Sequence, residues 1–188
     1  MLASGRTRRS WTSLELPAVP EAGFRPEAIF GALTDHGVRF VVIGGFAAML
    51  HGSPYATFDV DVVPSVDPAN LTALSNALKA IHARVWTNDE PEGLAFDHSG
   101  GSLAQGKIWN LVTDHGRLDI TFEPSGTAGF DDLRRDSVSL AVGDHSIDVA
   151  SLADVIRSKQ AAGRMKDQLV LPVLREILGG GPPADEVR

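Results

Sequence analysis

Residues 44–63 read GGFAAMLHGSPYATFDVDVV. Two glycines close an apolar run, RFVVI at 39–43, and a short helix-like segment follows from Phe46 to Leu50, ended by His51 and Gly52. Then two aspartates stand one residue apart among β-branched neighbours. Side chains alternate along a strand, so Asp59 and Asp61 share one side while Phe58, Val60 and Val62 are expected to face the core. Two carboxylates on one patch repel, and each resists ionising beside the other. A divalent cation between them removes that cost. Magnesium takes oxygen ligands and is commonly held by one or two carboxylates together with substrate phosphates.

A third carboxylate stands in GRLDITFEP, residues 116–124. Leu118, Ile120 and Phe122 make its apolar side, and Arg117, Asp119 and Thr121 its polar side. If this strand lies beside the first, Asp119 joins Asp59 and Asp61 on one patch. Three carboxylates of that kind suit phosphoryl transfer, in which metal ions stabilise the attacking and leaving oxygens. The glycine pair fits the same chemistry, because glycines let backbone N–H groups come close to a phosphate at the start of a helix. Taken alone, an Asp-x-Asp pair is a common solvated pattern, and a Gly-Gly turn is most often structural. The combination is what carries the reading.

The whole chain sets the frame. Its 188 residues suit one domain with a sizeable core, and 43% hydrophobic with 22% charged residues is ordinary for a globular protein. A net charge of −7 excludes a wholly cationic surface built for nucleic acid, so any such contact needs a local basic patch. The absence of cysteine excludes disulfides, thiolate metal sites and a cysteine nucleophile, and it fits a reducing, cytoplasmic setting. No apolar run is long enough to span a membrane, and the start, MLASGRTRRSWTSLELP, lacks the apolar core of a signal peptide.

Working outward, Pro26 opens a helix through EAIFGALTDHG with Gly37 as its stop, and Asp67 with Pro68 opens another whose Leu71, Leu74, Leu78 and Ile81 share a side. ARVWT reads as a strand, and residues 88–107 as a long flexible loop. Asp114-His115-Gly116 and Gly143-Asp144 each mark a hairpin. Ser151 with Asp154 starts a helix, and a second run, KDQLVLPVLREIL, should kink or restart at Pro172. The expected architecture is α/β: a mixed sheet of five or six strands flanked by helices. Its divisions are a flexible arm at 1–23, a core at 24–150, a small helical C-terminal extension at 151–178 and a disordered tail at 179–188. His51 reads as structural, and Trp86 and Trp109 as core residues. The other histidines show no metal-ligand spacing.

Taken together, VVIGGFAAMLHGSPYATFDVDVV resembles the signature of the polymerase-β-type nucleotidyltransferase superfamily: Gly-Gly, thirteen residues, then Asp-x-Asp. The His51-Gly52 and Thr57 decoration, with SLADVIRSKQAAGRMKDQLVLPVL near the C-terminus, is similar to the AbiE/MenT type of bacterial toxins. The resemblance covers residues 25–178. It implies a nucleotidyltransferase fold, with Gly44 and Gly45 at the nucleotide phosphates and Asp59 and Asp61 on magnesium or manganese. Asp119 would ligate the metal and help deprotonate the attacking hydroxyl. Lys159 and Arg164 would neutralise triphosphate charge, and Asp167 would orient that helical motif. Relatives of that type often carry an arginine where this chain has Tyr55.

The implied activity is transfer of a nucleoside monophosphate from an NTP to the 3′ end of tRNA, which would make the protein a growth-inhibiting toxin with a cognate antitoxin. Arg157, Lys159, Arg164, Lys166 and Arg175 supply a basic region for RNA. Thr57 has two readings: a hydroxyl that contacts the nucleotide's phosphate or the backbone, which is the ordinary one, and a regulatory site, since a phosphate placed there by a partner kinase would repel the triphosphate or compete for metal. Two alternatives stand beside this one. The acceptor could be a small molecule such as an aminoglycoside, or a protein side chain, or the domain could be an inactive nucleotide-binding homologue.

Overall fold

The computed structural model describes residues 23–180. The arm expected at 1–23 and the tail at 179–188 fall almost entirely outside the described residues. Seven strands form one sheet: β1 (Phe40–Ile43), β2 (Asp59–Pro64), β3 (Arg84–Val85), β4 (Ile108–Thr113), β5 (Gly116–Thr121), β6 (Val138–Val142) and β7 (His145–Val149). Their order is β3-β4-β5-β2-β1-β7-β6. The β2/β5 and β1/β7 pairs are parallel and the others antiparallel. The sheet has seven strands rather than five or six, because both hairpins join it at opposite ends.

The helices are α1 (Pro26–Asp35), α2 (Gly44–Leu50), α3 (Pro68–Ala80), α4 (Gly100–Gln105), α5 (Phe130–Arg135), α6 (Leu152–Ala162) and α7 (Met165–Leu178). Proline at the first helical position starts α1 and α3, and Asp67 caps α3 by accepting from the Ala69 and Asn70 amides. Ile29, Phe30 and Leu33 of α1 and Leu71, Leu74 and Leu78 of α3 join Val60, Val62, Leu118 and Ile120 in one buried cluster. The inner sides of β2 and β5 are thus fixed by apolar burial, and register then decides where the polar sides fall.

Several expectations need correction. Phe58 does not face the core: it precedes β2, is 38% exposed, and meets Phe24 edge-on with ring centroids 6.4 Å apart. Residues 88–107 are not one long loop. Leu94 bridges to Val85, and α4 forms with Ser99 as its cap and Leu103 buried as its anchor. The strand at ARVWT shortens to two residues, although the Trp86 amide still donates to the Asn110 carbonyl at 2.8 Å. α5 was not expected. Helix α7 spans Pro172 without a break, and the restart lies earlier, where Gly163 takes a left-handed conformation between α6 and α7.

Candidate active site

Strand β2 lies parallel to β5 in a register that makes Asp61 the direct partner of Asp119, and Asp59 the partner of Arg117. The sequence expectation that Asp119 would join the Asp-x-Asp pair therefore holds in the geometry. The side of β2 opposite the core carries Asp59 and Asp61, then turns apolar at buried Val63. Burial above all, then the charges of Asp59 and Asp119, push the Asp61 carboxyl up from 3.8 to about 7, while Lys159 pulls it back down. Asp119 is raised as well, chiefly by burial and partly by Asp59, with Arg117 and Lys166 opposing. Carboxylates so close together resist ionising at once.

Thr57 donates its hydroxyl to Asp59, which confirms that it stands beside the carboxylates. Gly44 and Gly45 open α2 directly against the same group. A Cβ on Gly44 would come within van der Waals overlap of Asp61, and one on Gly45 would stand 3.1 Å from the Thr57 hydroxyl oxygen.

The C-terminal helices complete the wall. Lys159 on α6 donates to Asp167 Oδ1 at 3.0 Å, and Arg164, the residue before α7, donates to Asp167 Oδ2 at 2.6 Å. Asp167 is fully buried. Burial opposes its charge most strongly of any single influence, yet the two hydrogen bonds and charges of Arg164 and Lys159 together hold its carboxyl below the usual range. Its hydrogen bond to Asp167 first, and then the charges of Asp167, Asp61 and Asp59, favour the charged form of Arg164. The structure thus gathers Gly44, Gly45, Thr57, Asp59, Asp61, Asp119, Lys159, Arg164 and Asp167 about one place.

His51 is structural, as expected: its Nε2 stands 2.8 Å from the Ala150 carbonyl and ties the end of α2 to the chain beyond β7. Trp86 departs from its expected core role. It is half-buried, and the Arg117 guanidinium carbon lies 3.9 Å from its ring centroid. Sequence reading gave Arg117 a place on the polar side of β5 but no task. The signal was its i−2 spacing from Asp119, which puts both on one side of the strand.

The donor set suits a hard divalent cation. Among the described residues no three His, Cys, Asp or Glu side chains form a ready-made metal-holding group. Asp59 is turned toward Thr57, and Asp119 faces Arg117 with its Oδ1 buried and unpartnered. Two carboxylates plus substrate phosphate is the set magnesium ordinarily takes, so an incomplete protein ligand set fits such an ion. Lys159 and Arg164, standing beside those carboxylates, can face the phosphates of a nucleotide.

No family model matches the sequence, and no curated protein matches it. Similarity to solved structures does exist. One is TM1012 from Thermotoga maritima, provisionally described as a nucleotidyltransferase, at 18% identity over 84% of this chain and 96% of that one, with a TM-score of 0.45. Another is the lincosamide antibiotic adenylyltransferase LnuA in its lincomycin-bound form, at 14% identity and TM-score 0.53, covering 82% of this chain and 99% of that one. The second likeness shows the fold: this chain has a nucleotidyltransferase fold, a mixed sheet flanked by helices with the carboxylates of β2 and β5 side by side.

Proposed function

We propose that the protein is a metal-dependent nucleotidyltransferase that moves a nucleoside monophosphate from an NTP to an acceptor hydroxyl and releases pyrophosphate. The observation that carries this reading is the Asp61–Asp119 register, with Asp59 beside it and Lys159 and Arg164 opposite. Asp59 and Asp61 would hold magnesium or manganese, which when bound offsets the triphosphate's charge. Gly44 and Gly45 let the phosphates lie against the backbone, and Lys159 and Arg164 meet charge on the β- and γ-phosphates. Asp119, whose raised pKa makes it a better base than an ordinary carboxylate, accepts the proton of the attacking hydroxyl. The acceptor oxygen bonds to the α-phosphorus as the bond to the β-phosphate oxygen breaks, and pyrophosphate leaves with the electron pair.

For the acceptor, the motif resemblance favours the 3′ end of tRNA, and with it a toxin role and an antitoxin partner. A second reading, a small hydroxylated antibiotic-like acceptor, is favoured by the likeness to LnuA along nearly its whole length. The ion pairs bear on the choice. Arg157 is held by Asp132 and Asp154, and Lys159 and Arg164 by Asp167, so much of the basic region is already neutralised. What supports an RNA acceptor must then come from elsewhere on the site.

The test is label transfer from each of four α-labelled NTPs, with magnesium, to total bacterial tRNA and separately to lincosamides and aminoglycosides, with Asp61→Ala in parallel. Label on tRNA that vanishes in the variant supports the first reading, and label on a small molecule alone supports the second. Absence of transfer to any acceptor, together with no binding of any NTP, would overturn the enzymatic reading.

A further inference from the structure

Resting on the nucleotidyl-transfer reading, the geometry points to an acceptor subsite built from Arg117 and Trp86, which binds a backbone phosphate of a single-stranded RNA acceptor beside its reacting hydroxyl. In-line displacement puts the attacking and leaving oxygens on opposite sides of phosphorus. The groups suited to the leaving pyrophosphate, Lys159 and Arg164, stand at α6 and the start of α7. The acceptor then comes from the other direction, over β5 and β4.

Arg117 stands there. It is the register partner of Asp59 on β2 and of Val112 on β4, two residues from Asp119 on the same side of β5. Trp86 follows β3, two strands out from β5, with its amide on the Asn110 carbonyl, and Asn110 is itself the β4 partner of Asp119.

The state of the guanidinium argues for a ligand. If Arg117 served only to offset Asp119, it would close on that carboxylate. Instead its Nη2 stays 3.9 Å from Asp119 Oδ1, beyond hydrogen-bond reach, and Arg117 Nε and Asp119 Oδ1 are both buried without partners. The plane is held by the Trp86 ring rather than by the carboxylate. A guanidinium stacked on an aromatic face is weakly hydrated, pre-oriented, and keeps its N–H edge for a phosphate. With about a third of its side chain exposed, that edge can be reached from solvent. A cationic acceptor would be repelled at this position, whereas a nucleotide chain brings a phosphate one linkage from its terminal hydroxyl.

The test uses the full-length protein and a 5′-fluorescein-labelled RNA trinucleotide with a free 3′-hydroxyl, made with ordinary phosphodiester linkages or with neutral methylphosphonate linkages. Affinities are read by fluorescence anisotropy with magnesium and a non-hydrolysable NTP analogue present. Wild type is expected to bind the charged form about tenfold to a hundredfold more tightly than the neutral form, the scale of a hydrogen bond to a charged group. Arg117→Gln should erase that gap, Arg117→Lys should restore part of it, and Trp86→Leu should narrow it. Should Arg117→Gln fail to fold, as circular dichroism would reveal, the Lys and Leu variants carry the comparison. Equal binding of both forms by wild type, no measurable binding of either, or a gap that survives in Arg117→Gln or in both other variants, overturns the subsite. Affinity for the NTP analogue alone, measured in the same wild-type protein, separates this outcome from failure of the nucleotidyl-transfer reading.

Discussion

A Cβ added to Gly44 would overlap Asp61 Oδ2 and stand 2.5 Å from Asp61 Cγ. Glycine is required at this position twice over, since its φ of +74° is also one that other residues adopt only with strain. Gly44→Ala must therefore push the Asp61 carboxylate out of place as well as strain the start of α2. The expected result is loss of nearly all transfer activity, with a stability loss of about 1–3 kcal/mol from the backbone strain. Gly45→Ala is milder: its Cβ meets the Thr57 side chain at 3.1–3.3 Å, and a small rotation of Thr57 accommodates it. Gly101→Ala, in α4 with open space around its Cβ, should be neutral or slightly stabilising. Chemical denaturation of the three variants beside activity assays checks the series.

Asp61 also sets a pH dependence. Its folded pKa of about 7 lies above the ordinary 3.8, so the folded state binds its proton more readily than the unfolded chain does. That contribution to stability is fully present below about pH 4 and is lost as pH rises through about 7. Without metal, the protein should lose on the order of a few kcal/mol from this group between pH 5 and pH 8. Asp61→Asn should remove most of that slope and be the more stable protein at pH 8, while being inactive. Magnesium with an NTP analogue should raise the wild-type melting temperature at pH 8 and leave the variant unmoved. A wild-type curve flat from pH 5 to pH 8 would contradict the buried carboxylate cluster.

The Asp-x-Asp pair and the third carboxylate were legible in sequence because the strand period is two, which assigns sides without any tertiary information. Both hairpins were legible from their turn residues. What sequence could not supply was set by pairing. Nothing local says that β2 and β5 are neighbours, although that adjacency makes Asp61 the partner of Asp119. Phe58 followed the apolar alternation yet lies before the strand begins, where it meets Phe24 and stays 38% exposed. Trp86 looked like core by composition, and its contact with Arg117 spans three strands of a sheet whose order the sequence does not spell out. Of the acidic partners that hold the cations of α6 and α7, Asp154 and Asp167 lie on those same helices, whereas Asp132, which also holds Arg157, comes from the distant α5 and could not be read from local spacing.

His51 should separate from the reacting groups on kinetic grounds. Its ring sits at the end of α2 and meets the Ala150 carbonyl, with no contact to the carboxylates. His51→Ala removes one hydrogen bond and some packing, so a loss of about 1 kcal/mol in unfolding free energy is expected, with kcat within about twofold of wild type. A kcat drop of a hundredfold or more in a folded His51→Ala protein would place the imidazole in the chemistry instead.

Asp167 joins stability to substrate binding. It is fully buried between Lys159 and Arg164, and of those two cations Lys159 is itself only 12% exposed. Removing one member of a buried pair leaves the other charge without compensation, which typically costs about 3–5 kcal/mol. Asp167→Ala should therefore destabilise strongly, whereas Lys159→Met in the same background should restore part of the loss because the stranded ammonium is gone. The sign of the pH effect is opposite to that of Asp61: the folded pKa of Asp167 is depressed, so its contribution is present above about pH 4 and is lost as pH falls below that value. Asp167→Asn should flatten the acid limb of the stability curve. In kinetics, Lys159→Met in the wild-type background should raise KM for the NTP and lower kcat/KM by tenfold or more, while Asp167→Asn should do so less, since it leaves both cations in place. Additive losses in the Lys159–Asp167 double-mutant cycle would show that the pair is not coupled, and would remove Asp167 from its role in orienting the two cations.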